Sequence, residues 1–197
     1  MTIKEQIWHD LMAEINNEIG VAGLMGNLQA ESGLIPYRVQ GDFSSGYTYS
    51  INYTSQVDSG AISEYNFVNN GPNGGGYGLA QWTFHTRKQA MYNMMQQMGV
   101  SIGDTNLAIT FLLHELNTDF SGVMTTLKVA TTIRQASDKV LHDFENPADQ
   151  SEEVEILRAS LGSTIYEELT GSVPPTEPSK KRKMPLWMYL RWLWKEW

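Results

Sequence analysis

Apolar side chains recur at helical spacing along most of this chain, and that period restricts it to a mainly α architecture. Ile7, Leu11 and Ile15 stand four apart with Trp8 and Met12 beside them. This is the 3.6-residue period of an amphipathic helix over residues 4–17, with Gly20 as the expected terminator. Residues 21–32, VAGLMGNLQAES, carry Val21, Leu24, Met25 and Leu28 on one side. The small residues Ala22, Gly23 and Gly26 let a neighbouring helix approach, so a second, buried helix is expected. The period returns from Thr83 to about Met98, and again after a turn at 101–104, where Leu107, Phe111, Leu112 and Leu116 share a face. Residues 123–144 and 151–169 read as two further helices, separated at Asn146-Pro147.

Residues 33–76 differ. Gly, Ser, Asn, Tyr and Thr dominate, and GYTYSINYT at 46–54 alternates polar with aromatic or β-branched residues, the period of a strand. A small β-hairpin or irregular lobe is expected there. NNGPNGGGYG at 69–78 must be loop, because a strand so rich in glycine loses too much backbone entropy. The expected fold is therefore mainly α, of the α+β kind, with one catalytic-size domain at 1–170. GSVPPTEPS at 171–179 reads as a Pro-rich linker, and KKRKMPLWMYLRWLWKEW at 180–197 as a cationic, Trp-rich helix or tail.

At 197 residues the chain is long enough for one real core. The absence of cysteine removes disulfides, thiolate nucleophiles and Cys-based zinc sites. The formal charge of −8 is unevenly placed: residues 172–197 hold six Lys/Arg against two Asp/Glu, and residues 1–171 hold eight against twenty. An acidic body argues against nucleic acid as a partner, since backbone phosphates demand clustered Lys/Arg. Glu5, His9, Asp10 and Glu14 interrupt any apolar run at the start, so no signal peptide is expected. His9, His85, His114 and His142 lack the spacing of a zinc peptidase, and no Gly-x-Ser-x-Gly elbow is present. No metal site is expected.

Two segments carry candidate chemistry: GNLQAESGLIP at 26–36 and GGGYGLAQWT at 74–83. Glu31 ends an apolar helix just before Ser32-Gly33, at the lip of a cleft, with Leu28, Leu34 and Ile35 nearby in sequence. Glycosidic cleavage needs a protonated carboxyl group beside the leaving oxygen, and apolar surroundings favour the protonated form. Taken alone, a Glu-Ser pair more often marks a solvated helix end. The second segment brings a Gly-rich backbone, an amide at Gln81 and an indole at Trp82, groups suited to sugar hydroxyls and a sugar's apolar face. Its bland alternative is a turn followed by a core Trp.

Together, Glu31-Ser32 and Gly78-Leu79-Ala80-Gln81-Trp82 resemble the Glu-Ser and Gly-Leu-x-Gln motifs of the lysozyme-like superfamily, which includes goose-type lysozymes and lytic transglycosylases. GLMGNLQAESGL, VDSG, GYGLAQWT, Arg87-Lys88, SIGD and FLLHEL, from about residue 5 to 165, resemble the phage tail-tip lysozyme family more closely. The resemblance implies a lysozyme-like helical domain that cleaves bacterial peptidoglycan as a muramidase, without cofactor. It implies Glu31 as general acid, and sugar contacts from Ser32, Tyr77, Gly78, Gln81, Trp82 and Thr83. It also implies work on a phage tail, among tail proteins, or release to the bacterial cell wall as an endolysin.

The second carboxylate is open. Asp58, in VDSG, ranks before Asp42, with Glu64 third, and an Asp that caps a turn is an equal reading. Without one, a lytic transglycosylase reaction using the sugar's own 6-hydroxyl is the alternative, although the late Ala-Tyr-Asn motif of transglycosylases has no counterpart here. Two rivals lie outside catalysis: a wall-binding virion protein without turnover, and a membrane-active C-terminal segment. Trp187, Trp192, Trp194 and Trp197, with Lys180 to Lys183, suit an anionic envelope or membrane surface.

Overall fold

The computed structural model describes residues 1–71 and 75–175. Helix α1 (Ile3–Ile15) opens with a reciprocal cap: Thr2 Oγ1 accepts from the Glu5 amide, and Glu5 Oε2 accepts from the Thr2 amide at 2.7 Å. The helix ends at Asn16, in the left-handed region at φ 53°, and Asn17 at once caps α2 (Glu18–Ser32) by accepting from Ile19 N. The break expected at Gly20 therefore falls four residues earlier, at Asn16. Gly20 serves packing instead: a Cβ there would lie 2.0 Å from the Leu127 carbonyl oxygen, so α2 and α6 (Ser121–Val129) meet backbone to backbone.

Helix α2 is the central element, buried almost continuously from Gly20 to Leu28. Helices α1, α6, α7 (Ile133–Val140) and α8 (Glu152–Thr170) surround it. The single helix expected over 123–144 is divided. Thr132 turns its hydroxyl to the Gln135 amide at 3.1 Å and starts α7 afresh, and a π-helical turn at Leu141–Glu145 follows. Helices α4 (His85–Met98) and α5 (Thr105–Asn117) complete the helical body, and Gly171, at φ 68°, closes α8.

The strand expected over 46–54 is a helix, α3 (Thr48–Asp58). Its buried residues are Ser50, Tyr53, Thr54 and Val57, a helical spacing in which two of the four are polar, and that hid the period. Ser50 Oγ donates to Asp42 Oδ2 and accepts from Val39 N, while Thr54 pairs with the Tyr77 hydroxyl. These polar positions face inward because they bind the loop beneath them. Among the described residues no sheet forms. Isolated antiparallel bridges, Val39 to Tyr77 and Tyr77 to Trp82, replace the expected hairpin lobe.

Fully buried Trp82, Tyr77, Phe67 and Phe111 fill the space between this loop region and the helices, with Trp82 and Phe111 edge to face at 5.2 Å. No described helix is long and apolar enough to cross a membrane. The linker beyond residue 175 and the cationic segment expected at 180–197 lie outside the described residues.

Candidate active site

Glu31 is the penultimate residue of α2, which ends because Gly33 takes φ 68° and Ser32 Oγ donates back to the Leu28 carbonyl at 3.0 Å. Its side chain keeps 23% of its surface exposed, and Oε1 accepts from Arg158 Nη2 at 2.5 Å. Arg158 rises from α8, whose close crossing of α2 depends on Gly26 and Gly162. The buried guanidinium also pairs with Glu145, at the end of the π-helical turn, and donates to Asn27 Oδ1 at 3.3 Å.

One arginine thus serves two carboxylates. Glu145 is only 4% exposed, and its Oε1 has no hydrogen-bond partner. Burial pushes its carboxyl well above the usual carboxylate range; the Arg158 charge opposes that shift and the nearby Glu31 adds to it.

Glu31 and Glu145 open onto a cleft of about 510 Å³. Arg38, Gln40, Phe43, Gln81, Thr83 and Phe84 line it as well. Gln81 is held at φ 50° while its amide nitrogen donates to the Arg38 and Gly78 carbonyls, and Thr83 Oγ1 donates to the Gln81 carbonyl. Phe43 and Phe84 stand 90% and 69% exposed, which leaves their ring faces free for an apolar surface such as a sugar's.

Several sequence expectations move. Trp82 and Tyr77 are 0% exposed and have no face to offer a ligand. The Trp82 indole N–H donates to Glu115 Oε2 at 2.8 Å, and Arg87 clamps the same carboxylate through Nε and Nη2 while lying over the Phe144 ring. The motif thereby fixes a largely buried ion pair whose Arg87 lines the cleft. Tyr77 is sealed off so completely that burial raises its phenol far beyond the ordinary value, with the Thr54 hydrogen bond opposing. Ser32 is buried with its hydroxyl spent on the helix, and Gly78, at φ 81°, lies against the Trp82 ring in a turn only glycine takes easily.

Neither aspartate ranked as a second carboxylate lines the cleft. Asp58 Oδ1 accepts from Ile102 N and Oδ2 from Ser101 Oγ, tying α3 to the turn before α5 at a separate hollow. Asp42 accepts from the backbone amides and hydroxyls of both Ser44 and Ser50. Those hydrogen bonds, the two hydroxyls first, hold its carboxyl well below the usual range. Glu64 accepts from Gln89 on the surface. Because the Asp42 pKa is depressed in the folded protein, its stabilisation is present above the ordinary Asp value and is lost as pH falls through the depressed one. Asp42→Ala is therefore expected to loosen residues 42–50 at neutral pH and to flatten the acid limb of the stability curve. Hydrogen exchange at the Ser44 and Ser50 amides, with acid unfolding of both proteins, measures this; wild-type protection in the variant removes the anchoring role.

Sequence reasoning missed Glu145 and Arg158. Arg158 shares the buried face of α8 with Gly162, Ile165 and Tyr166, and Glu145 lies four residues after buried Leu141. A cation and an acid on apolar faces signal a buried pair. A larger hollow of about 700 Å³ lies between α7, α8 and Val173–Pro175. Arg134 and Asp138 within it pair with each other.

The helical domain thus brings two carboxylates and two exposed aromatic rings to one open polar cleft. The model of the phage tail lysozyme family matches residues 2–169, and the chain belongs to that family. It is thus a lysozyme-type, peptidoglycan-degrading protein of a kind that works at a virion tail or on the cell wall. No curated protein matches it.

Proposed function

We propose that the chain is a muramidase in which Glu31, in its protonated form, donates to the glycosidic oxygen while the C–O bond to the anomeric carbon breaks. The observation that carries the reading is the position of Glu31: the carboxylate of the family-like Glu-Ser motif opens onto the polar cleft beside a second, buried carboxylate. In this reading Gln81, through the Oε1 that its internal hydrogen bonds leave free, and Thr83 hydrogen-bond sugar hydroxyls, while Phe43 and Phe84, which also line the cleft, carry apolar sugar faces. The catalytic unit is residues 1–170, in keeping with the span of the family match. Residues 171–179 serve as linker and 180–197 direct the protein to an anionic envelope surface.

After proton donation, the anomeric carbon is taken by water or by the substrate's own 6-hydroxyl, and the Glu31 carboxylate accepts the attacking group's proton. Among the described residues Glu31 and Glu145 are the carboxylates lining the cleft, and its other polar lining is amide, hydroxyl and guanidinium groups. That observation favours a second reading, a lytic transglycosylase, because no aspartate among the described residues lines the cleft to activate water. Mass spectrometry of muropeptides released from purified peptidoglycan separates the two. Reducing-end muramyl products are expected; 1,6-anhydro ends assign the transglycosylase, and no release from a folded protein overturns both.

A further inference from the structure

Arg158 is permanently charged and buried, so it must face a carboxylate at every stage of the reaction. Two carboxylates share it, Glu31 through Nη2 and Glu145 through Nη1. With both ionised the group carries a net negative charge out of contact with most water; with one proton it is neutral. A proton on Glu145 leaves Glu31 ionised against Arg158 and unable to donate. A proton on Glu31 strips the guanidinium of that partner, which is tolerable only if Glu145 is ionised and takes its place. The other groups facing Glu145 do not fill this role. Arg87, from α4, adds positive charge but is already held by Glu115, and Asn27 offers Arg158 only a neutral oxygen. On its own turn, His142 is occupied by Gln150 and Glu155, and Asp143 by Lys139.

We propose that Glu145 is the positioning residue for the proton that Glu31 delivers: the two carboxylates hold one proton between them across Arg158, and Glu145 takes over the guanidinium's charge whenever Glu31 carries the proton. The buried, unpartnered Glu145 Oε1 leaves an oxygen free to hold that proton at rest. After donation Arg158 is shared by two ionised groups, which favours prompt return of a proton from the attacking hydroxyl to Glu31. This inference rests on the role of Glu31 given above, and it deepens that role.

Two measurements test it. In Glu145→Gln, Arg158 has only Glu31 to face, so the alkaline limb of the pH–rate profile for peptidoglycan cleavage should move to lower pH by about one unit or more. Activity at neutral pH should fall at least about tenfold and partly return in acid. Adding Arg158→Gln should recover part of the loss. A loss of equal proportion at every pH marks a merely structural residue and overturns the proposal. Independently of turnover, the carboxyl carbon resonance of Glu145 should titrate at lower pH in Glu31→Gln than in wild type, since the competing carboxylate is gone. An unchanged midpoint overturns the shared proton and leaves the role of Glu31 standing, whereas a Glu31→Gln protein that still cleaves overturns the reading beneath it.

Discussion

Glu31→Gln should lower peptidoglycan cleavage by about 10²- to 10⁴-fold, the range that one general acid contributes, while leaving the protein folded. The amide keeps the shape of the side chain but has no proton to deliver to a leaving oxygen. In barrier terms the loss is about 3–5 kcal/mol at 1.36 kcal/mol per decade. Stability responds far less. Arg158 retains Glu145 as counter-charge, so the substitution does not leave a buried cation alone, the situation that costs about 3–5 kcal/mol. What disappears is one contact of a partly exposed carboxylate, set against a side chain that can still accept from Arg158 Nη2. The separation of the two effects is the test: turbidity loss of purified cell walls should collapse, while the thermal midpoint and sedimentation with intact peptidoglycan stay near wild type. If the variant keeps a tenth or more of wild-type activity, Glu31 is not the acid. If it binds walls as before and wild type also fails to cleave, the chain is a wall-binding protein with a preserved cleft.

The contrast between what the sequence disclosed and what it hid follows from how side chains are used. Helix α1 is visible because its buried residues are apolar and lie at one period; Ile7, Leu11 and Ile15 all end up at most 1% exposed, and the buried residues of α2 and α5 are mostly apolar too. Helix α3 escaped because Ser50 and Thr54 face inward to bind Asp42 and Tyr77, so its apolar pattern, read alone, suggested alternation. In the site, Glu31 was legible because it stands in a contiguous motif at a helix end. Glu145 and Arg158 come from segments 114 or more residues away in the chain; the turn after α7 brings the first to the site and the crossing of α2 and α8 the second. Trp82 shows the opposite error: a Gly-rich segment followed by an indole fits sugar recognition, but the ring is sealed in the core, where its N–H orients Glu115. The exposed rings of the cleft are Phe43 and Phe84, which no motif singled out.

The dependence of the site on that crossing leads to the second large effect, expected from Gly26→Ala. On helix propensity alone alanine should stabilise α2 by up to about 1 kcal/mol. Packing decides otherwise. A Cβ at position 26 would lie 2.4 Å from the Arg158 carbonyl oxygen and 2.6 Å from the Gly162 amide nitrogen. Both are backbone atoms of α8, so no rotamer change relieves the clash and the helix must shift as a body. Overpacking of this kind costs about 1–3 kcal/mol, occasionally more, and here it outweighs the propensity gain. A net loss of about 2 kcal/mol corresponds to a thermal midpoint lower by roughly 4–8 °C for a chain of this size. The displacement also draws Arg158 away from Glu31 and Glu145, so cleavage should fall even at temperatures where the variant is fully folded. Gly122→Ala is the control: it places the same methyl in α6, where nothing lies within 4 Å, and should leave activity at the wild-type level and stability at or slightly above it. A Gly26→Ala protein that melts at or above the wild-type midpoint would mean that α2 and α8 have room to spare, and that the Arg158 bridge is held by its charges instead of by the crossing of the helices.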